Sequence, residues 1–434
     1  MSYKKIKGEK MNISISGAGY VGLIQGVGLA KLGHKVICVD VDEEKICRIN
    51  KKEPPIYEKG LSKLIKEMVP NKLTGTTDLR RAVMKSKITF VCVGTPSTVH
   101  GEIKLHELKK ICHDIGAVLK EKKEQHLIII KSTVVPGTCE ATVIPSLEKS
   151  SGKKFGKDFG VAMNPEFLRE GSAIFDFFHP DRIVIGSSDQ KSINTLRALY
   201  TKFQCQILET NFGEAEMIKY ASNAMLATKI SFINELGNIC KRLGIDTNKV
   251  AKGVGLDYRI GPHFLRAGIG FGGSCFPKDV SALLHKGLEL GYFPRLLRSV
   301  LDINKEQPIK FLGLVEERLG TLKGKKIALL GLTFKEDTDD IRESPSIPII
   351  NELVYHRADL YLYDPMGMQA MKQMFPHLKY MESGQHAVNK ADAVLLLTEW
   401  SEFRNLNYGS KLVLDGKNIF QNGKRPKNYE GVCW

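Results

Sequence analysis

The run Phe271-Gly272-Gly273-Ser274-Cys275-Phe276-Pro277-Lys278-Asp279 sets one thiol in a glycine-rich turn, followed three and four residues later by an ammonium and a carboxylate. Glycine lets backbone approach a ligand closely, and a thiol attacks as its thiolate, which a neighbouring cation stabilises. Most unbridged cysteines are instead small apolar fillers. Among the nine cysteines, only Cys275 stands between paired glycines and a Lys-Asp pair, so it is the candidate nucleophile.

A second chemical signature lies near the start. The alternating apolar run at residues 11–17 leads into Gly17, Gly19 and Gly22, then into a helical stretch, Val21 to Leu32, stopped by Gly33. This is the spacing of a dinucleotide turn. The first glycine allows the turn, the second admits a pyrophosphate, and the third lets helix and strand pack closely. The next strand, Lys35 to Val39, ends in Asp40, placed to hold the adenosine ribose hydroxyls and to favour NAD over NADP.

These residues need a parallel sheet to position them, and the alternation of strands and helices supplies it. Apolar strands at Ile88 to Val93 and Leu127 to Lys131 run into Gly94-Thr95-Pro96 and Ser132-Thr133. Ligands collect at the carboxyl ends of such strands, which singles out Thr95 and Thr133; the plainer alternative is that both only shape turns. Strand Phe159 to Met163 leads to Asn164-Pro165-Glu166-Phe167-Leu168-Arg169-Glu170, where a helical turn opened by Pro165 would put Glu166 and Glu170 on one face. From Ala215 to Leu243 the helical period is continuous, and Lys219 and Asn223 project together from it, although spacing alone favours two solvated side chains. Arg259 and Arg266 precede the cysteine turn and would suit an anion. A helix is expected from about Leu283 to Leu319, interrupted or bent near Pro294 and Pro308. A second α/β unit follows, with strands near Ile327 to Gly331, Leu360 to Tyr363, Ala393 to Leu397 and Lys411 to Leu414. Its Thr333-Phe334-Lys335 turn lacks the full glycine signature and points to a different nucleotide. The stretch after Gln421, rich in Gly, Asn and Pro, reads as poorly ordered.

Composition narrows the class. Of 434 residues, 42% are hydrophobic and 26% charged, as in a globular protein of two or three domains. No apolar run approaches membrane-spanning length, and the basic opening through Lys10 lacks a signal peptide's apolar core, so a cytoplasmic protein with no membrane partner is expected. Nine scattered cysteines without a Cys-x-x-Cys pair argue against disulfides and against a metal site. The net charge of +16 is spread among acids without interleaved aromatics, which fits an anionic small ligand and no nucleic acid.

Together these blocks resemble the UDP-glucose/GDP-mannose dehydrogenase family from Met11 onward. The matching pieces are Gly17 to Gly22, Gly94 to Pro96, Ser132 to Thr138, Asn164 to Glu170, Lys219 with Asn223, Phe271 to Asp279, and Thr333 to Pro345. The resemblance implies an α/β fold with an N-terminal NAD-binding Rossmann domain (11–205), a central helical dimerisation domain with the cysteine loop (206–310), and a C-terminal Rossmann-like domain for the UDP-sugar (311–434). It implies oxidation of a sugar C6 alcohol to a carboxylate, with NAD as cofactor, Cys275 as thiohemiacetal and thioester nucleophile, and a homodimer. Lys219 and Asn223 would stabilise oxyanions; Asp279, Thr133 and Glu166 would position water and relay protons, the base among them being open. Cofactor contacts carried over are Gly17, Gly19, Tyr20, Val21, Gly22, Asp40, Lys45, Gly94, Thr95, Thr133, Glu170, Lys278 and Arg342. Substrate contacts are Glu166, Phe167, Leu168, Lys219, Asn223, Arg266, Phe264, Gly272, Phe334 and Lys335, with Arg259 directed at a partner subunit's site. The Gly-Gly-Ser-Cys-Phe-Pro-Lys-Asp loop looks like the UDP-glucose and GDP-mannose branches, and the segments Phe167 to Gly171 and Arg259 to Ala267 are closer to the UDP-glucose members. GDP-mannose or another UDP-hexose is the alternative, and a basic nucleotide-binding protein without turnover the alternative of another class. One departure is Lys104-Leu105, where the family commonly has Asp-Leu, an acid that could cap the next helix.

Overall fold

The computed structural model describes residues 10–98, 100–420 and 423–434; the basic opening before Lys10 lies outside them. Two compact units divide the chain between Ala221 and Ser222. In the first, eight strands form one sheet: β1 Asn12–Ser16, β2 Lys35–Val39, β3 Leu73–Thr76, β4 Ile88–Val91, β5 Leu127–Ile130, β6 Gly160–Met163, β7 Arg182–Gly186 and β8 Gln206–Thr210. Their order is β3-β2-β1-β4-β5-β6-β7-β8. All neighbours are parallel except β6 and β7. Short runs such as Ile88–Val91 and Leu127–Ile130 are buried throughout, as strands covered by helices on both faces must be. The order reverses between β1 and β4, and the two glycine turns, at Gly17–Gly22 and after Val91, leave the sheet there, at the switch point where ligands bind such sheets.

The helix Tyr20–Lys31 packs against β1 and against a short helix, Ala173–Phe178. Contact is close enough that a Cβ at Gly28 would overlap the Phe177 ring. The N-cap residue of the helix His106–Glu121 is Leu105, which makes no side-chain cap.

The helix Phe212–Leu243 runs out of the first unit into the second. There it is joined by helices Thr247–Gly255, Phe276–Glu289 and Arg295–Leu319. Pro294 caps the last of these, while Pro308 is accommodated inside it. The expected start near Leu283 was too late: the preceding helix begins at Phe276, with Pro277 and Asp279 in its first turn, both favoured at helix starts. A six-stranded, all-parallel sheet completes the unit, from β9 Lys326–Leu330, β10 Asp359–Tyr363, β11 Lys379–Tyr380, β12 Ala393–Leu396, β13 Leu412–Asp415 and β14 Asn428–Gly431, in the order β11-β10-β9-β12-β13-β14. This is the dinucleotide-fold order, built on a turn without the three-glycine signature. The expectation of a poorly ordered tail is corrected beyond Gln421 and Asn422, which lie outside the described residues. Residues 428–431 pair with β13, Cys433 is fully buried, and Lys241 Nζ donates to the carbonyls of Gly431 and Trp434.

Asp364, just past β10, does for this sheet what the missing glycines would not. Its Oδ2 accepts from the N–H groups of Leu332 and Thr333, from Thr333 Oγ1 and from Trp400 Nε1, and its Oδ1 from the N–H groups of Met366 and Gly367. Stranding a buried donor costs about 1–3 kcal/mol. Asp364→Ala should therefore lower stability by at least about 3 kcal/mol, read as an earlier urea midpoint at unchanged slope.

Candidate active site

In the first unit the dinucleotide turn is built as its spacing demands. Gly17 has φ +92°, and a Cβ there would lie 2.7 Å from the Cys92 carbonyl oxygen. A Cβ at Gly22 would overlap the Gly17 carbonyl. A Cβ at Gly19 or Gly94 would meet nothing within 4 Å, so backbone faces open space where a pyrophosphate would lie. Asp40 Oδ2 accepts from Ala18 N at 2.8 Å, and its Oδ1 from Asp42 N at 3.1 Å. Lys45 Nζ is 4.0 Å from that Oδ1. The carboxylate thus holds the turn and keeps lone pairs for ribose hydroxyls, and the residues fit NAD. Tyr20 and Val21 open the helix beside this turn, and Thr95 Oγ1 donates to the Thr133 carbonyl at 2.7 Å.

Past β6, residues 164–169 form no regular element, so Glu166 and Glu170 do not share a helical face. Glu166 turns inward instead, because a buried ammonium awaits it: Lys219 Nζ lies 2.8 Å from Glu166 Oε1, and both are buried. Glu166 Oε2 accepts from Leu168 N at 2.6 Å. Burial opposes the charge, yet Lys219, the Leu168 N–H and Lys131 hold the Glu166 carboxyl below the usual carboxylate range. Phe167 lies under the Arg182 guanidinium, 3.8 Å from its ring centroid, with Lys219 Nζ at 5.5 Å. Glu170 is half-buried and contributes charge near Tyr20. Reading the sequence missed Lys131. It is buried, donates to Asn164 Oδ1 at 3.0 Å, and is pulled down to about 8 by burial, with Lys219 adding and Cys92 and Glu166 opposing. Its one signal was a charge ending an otherwise apolar strand.

In the second unit Cys275 is exposed and N-caps the 14-residue helix Phe276–Glu289, whose dipoles favour negative charge at that end. Four residues on, Asp279 is buried, with both oxygens engaged. Lys278 Nζ reaches Oδ1 at 2.5 Å and Asn223 Nδ2 donates to Oδ2 at 2.6 Å. So Lys219 and Asn223, four apart on one helix, are both buried and each faces a carboxylate, against the reading of two solvated side chains. The cysteine turn is clamped onto the second sheet's first turn. Gly273 has φ +81°, its N–H donates to the Arg342 carbonyl at 2.9 Å, and a Cβ there would come within 2.7 Å of the Phe334 ring. A Cβ at Gly272 would overlap the Glu343 carbonyl oxygen. Phe264, at φ +64°, sets its ring 6.2 Å from that of Phe276. Arg266 donates to the Asn418 carbonyl at 2.7 Å, and Lys417, also missed, to the Phe334 carbonyl at 3.2 Å. Lys335 Nζ lies 5.6 Å from the Phe334 ring. Arg342 and Arg259 lie at the surface, fork-bonded to Asp340 and Asp257 respectively.

Comparison with known proteins matches this layout. The UDP-glucose/GDP-mannose dehydrogenase family's NAD binding domain matches residues 11–204, its central domain 213–306 and its UDP binding domain 328–422. The chain belongs to the UDP-glucose/GDP-mannose dehydrogenase family. A UDP-glucose 6-dehydrogenase, AglM, of Haloferax volcanii is 42% identical over 419 residues, covering 94% of this chain and 97% of the relative. A UDP-glucose dehydrogenase structure from Pyrobaculum islandicum superposes with a TM-score of 0.94 at 39% identity, covering all of both chains. A GDP-mannose dehydrogenase structure from Pseudomonas aeruginosa, 36% identical and covering 98% of this chain and 100% of that one, superposes at 0.58. The chain is thus an NAD-binding oxidoreductase of the nucleotide-sugar dehydrogenases. Among the described residues no helix is long and apolar enough to cross a membrane.

Lys131 carries a pH signature. Between about pH 8 and 10.5 its unfolded form holds a proton that the folded form has lost, so its contribution to stability rises with pH across that window. Lys131→Met should abolish that rise, a differential on the order of 3 kcal/mol between the two proteins' unfolding free energies from pH 8 to 10.5.

Proposed function

We propose that the protein oxidises the C6 alcohol of UDP-glucose to the carboxylate of UDP-glucuronate in two steps through Cys275. The observation that carries the reading is an exposed thiol on the N-cap residue of a helix whose first turn holds Lys278 and the buried Asp279, the latter also bonded by the buried Asn223 of the long helix. Bound NAD supplies the hydride acceptor, once for each step. Loss of the first hydride and the hydroxyl proton gives an aldehyde. The Cys275 thiolate adds to its carbonyl carbon, forming a thiohemiacetal; loss of the second hydride gives a thioester, and water cleaves the C–S bond to release the acid and the thiol. Capture on sulfur keeps the aldehyde from escaping.

Lys219 and Asn223 are buried, fixed donors, suited to negative charge developing on the former carbonyl oxygen. Glu166, held ionised, is an acceptor suited to orient water; Thr133 and Asp279 share that role in the family pattern. Gly17, Gly19, Tyr20, Val21, Gly22, Asp40, Lys45, Gly94, Thr95, Glu170, Lys278 and Arg342 hold NAD in this reading. Phe167, Leu168, Phe264, Arg266, Gly272, Phe334 and Lys335 hold the UDP-sugar. The central region, residues 206–310, makes a homodimer in which Arg259 serves the partner's site. Supporting this, exposed Met225, Phe232 and Ile239 recur every seven residues along the long helix, with Leu243 one turn on, an apolar stripe that water disfavours. The enzyme works in the cytoplasm, where its thiols stay reduced.

The test is NAD reduction with UDP-glucose and GDP-mannose in parallel. UDP-glucose should be favoured by about 100-fold or more in kcat/KM. Cys275→Ala should form no acid, with kcat down by about 10³ or more, and full activity in that variant would refute the mechanism.

A further inference from the structure

We infer that Glu58 is a positioning residue that locks the dinucleotide turn to the loop bearing Glu166 to Glu170. The roles of those two segments rest on the function proposed above; the lock itself is visible without it. Glu58 lies just before the helix Leu61–Met68, and the residue is 5% exposed. Three donors converge on it. Its Oε2 accepts from the Tyr20 hydroxyl and, at 2.8 Å, from Gly171 N; its Oε1 accepts from Ala173 N at 2.9 Å. Tyr20 is the first residue of the helix that leaves the dinucleotide turn, and Gly171 and Ala173 end the Glu166–Glu170 loop.

The loop has no hydrogen-bond ladder of its own, so its course depends on such anchors. Asp176 provides another, accepting from the Arg169 N–H and from the Arg169 guanidinium. Asp176 fastens the loop to its own following helix. Glu58 alone of the two fastens it to the cofactor side. Burial and the Glu58 carboxylate push the Tyr20 phenol far up, so it remains a donor throughout the working pH range. No glutamine rotamer reproduces the set, because an amide would turn an N–H₂ toward at least one backbone N–H. A shift of under an ångström at Glu166 or Glu170 is enough to weaken a catalytic arrangement.

Tyr20→Phe, Glu58→Gln and the double variant would be compared by steady-state kinetics, thermal melting and calorimetric titration with NAD. Each single change should weaken NAD binding about tenfold and raise the KM for UDP-glucose, Glu58→Gln should also lower kcat, and the double variant should bind NAD no worse than Glu58→Gln. Effects that multiply in the double variant would overturn the inference. So would a lowered melting temperature with NAD affinity and both KM values within twofold of wild type. If Glu58→Gln does not fold, Tyr20→Phe decides alone through the loop, which loss of a direct NAD contact would not move: a raised KM for UDP-glucose under saturating NAD at an unchanged melting temperature supports the lock, and an unchanged KM overturns it. The NAD titration needs no turnover, so wild-type protein inert toward UDP-glucose would refute the proposed function and leave this inference to be judged on its own.

Discussion

A carboxylate is buried without a large penalty only where cations or hydrogen-bond donors meet it, and Asp279 is the carboxylate around which the cysteine turn of the second unit is arranged. It occupies the first turn of the Phe276–Glu289 helix, where the helix's own N–H groups favour negative charge, and takes Lys278 and Asn223 on its two oxygens. Satisfying it fixes three things at once: where the helix begins, how the long helix carrying Asn223 is rotated against it, and where Cys275, at the cap, must stand. The glycine pair before the cysteine then has to accept the Arg342 and Glu343 backbone and the Phe334 ring, which only residues without a Cβ can do.

The first unit solves the same problem with opposite signs. There a buried ammonium, Lys219, is met by Glu166, and a second, Lys131, by an amide oxygen of Asn164 that also accepts from the Tyr200 hydroxyl. Charge that is buried and paired is charge that need not reorganise when a reaction creates an oxyanion, which is the physical value of burying it. Both sheets also share a device. An aspartate just past the second strand, Asp40 in one and Asp364 in the other, accepts N–H groups from the turn after the first strand. In the first sheet it leaves capacity for a ribose; in the second six donors already converge on it.

Much of this was legible in the sequence, because the signals were local. Apolar runs of four or five residues bounded by turns gave the strands, and Gly17-Gly19-Gly22 with Asp40 gave the dinucleotide turn, since each glycine answers a steric demand within its own loop. Cys275 stood out for the same reason. What escaped was set by distant partners. Nothing around Glu58 announces that Tyr20 and Gly171 will converge on it, and nothing in Leu-Ile-Ile-Ile-Lys says that Lys131 stays buried. Glu166 was expected on a helical face with Glu170; a buried ammonium 53 residues away drew it inward instead. The last strand was missed because Gly, Asn and Pro before it read as disorder, whereas its pairing with β13 is decided by the open edge of the sheet.

In the proposed reaction one thiol carries the substrate through two oxidations without releasing the aldehyde. The most direct measurement is the amount of NADH formed per UDP-glucose consumed by wild-type enzyme under excess NAD. A ratio of two is expected, with UDP-glucuronate as the sole sugar product. A ratio of one, with free aldehyde in solution, would contradict the proposed reaction.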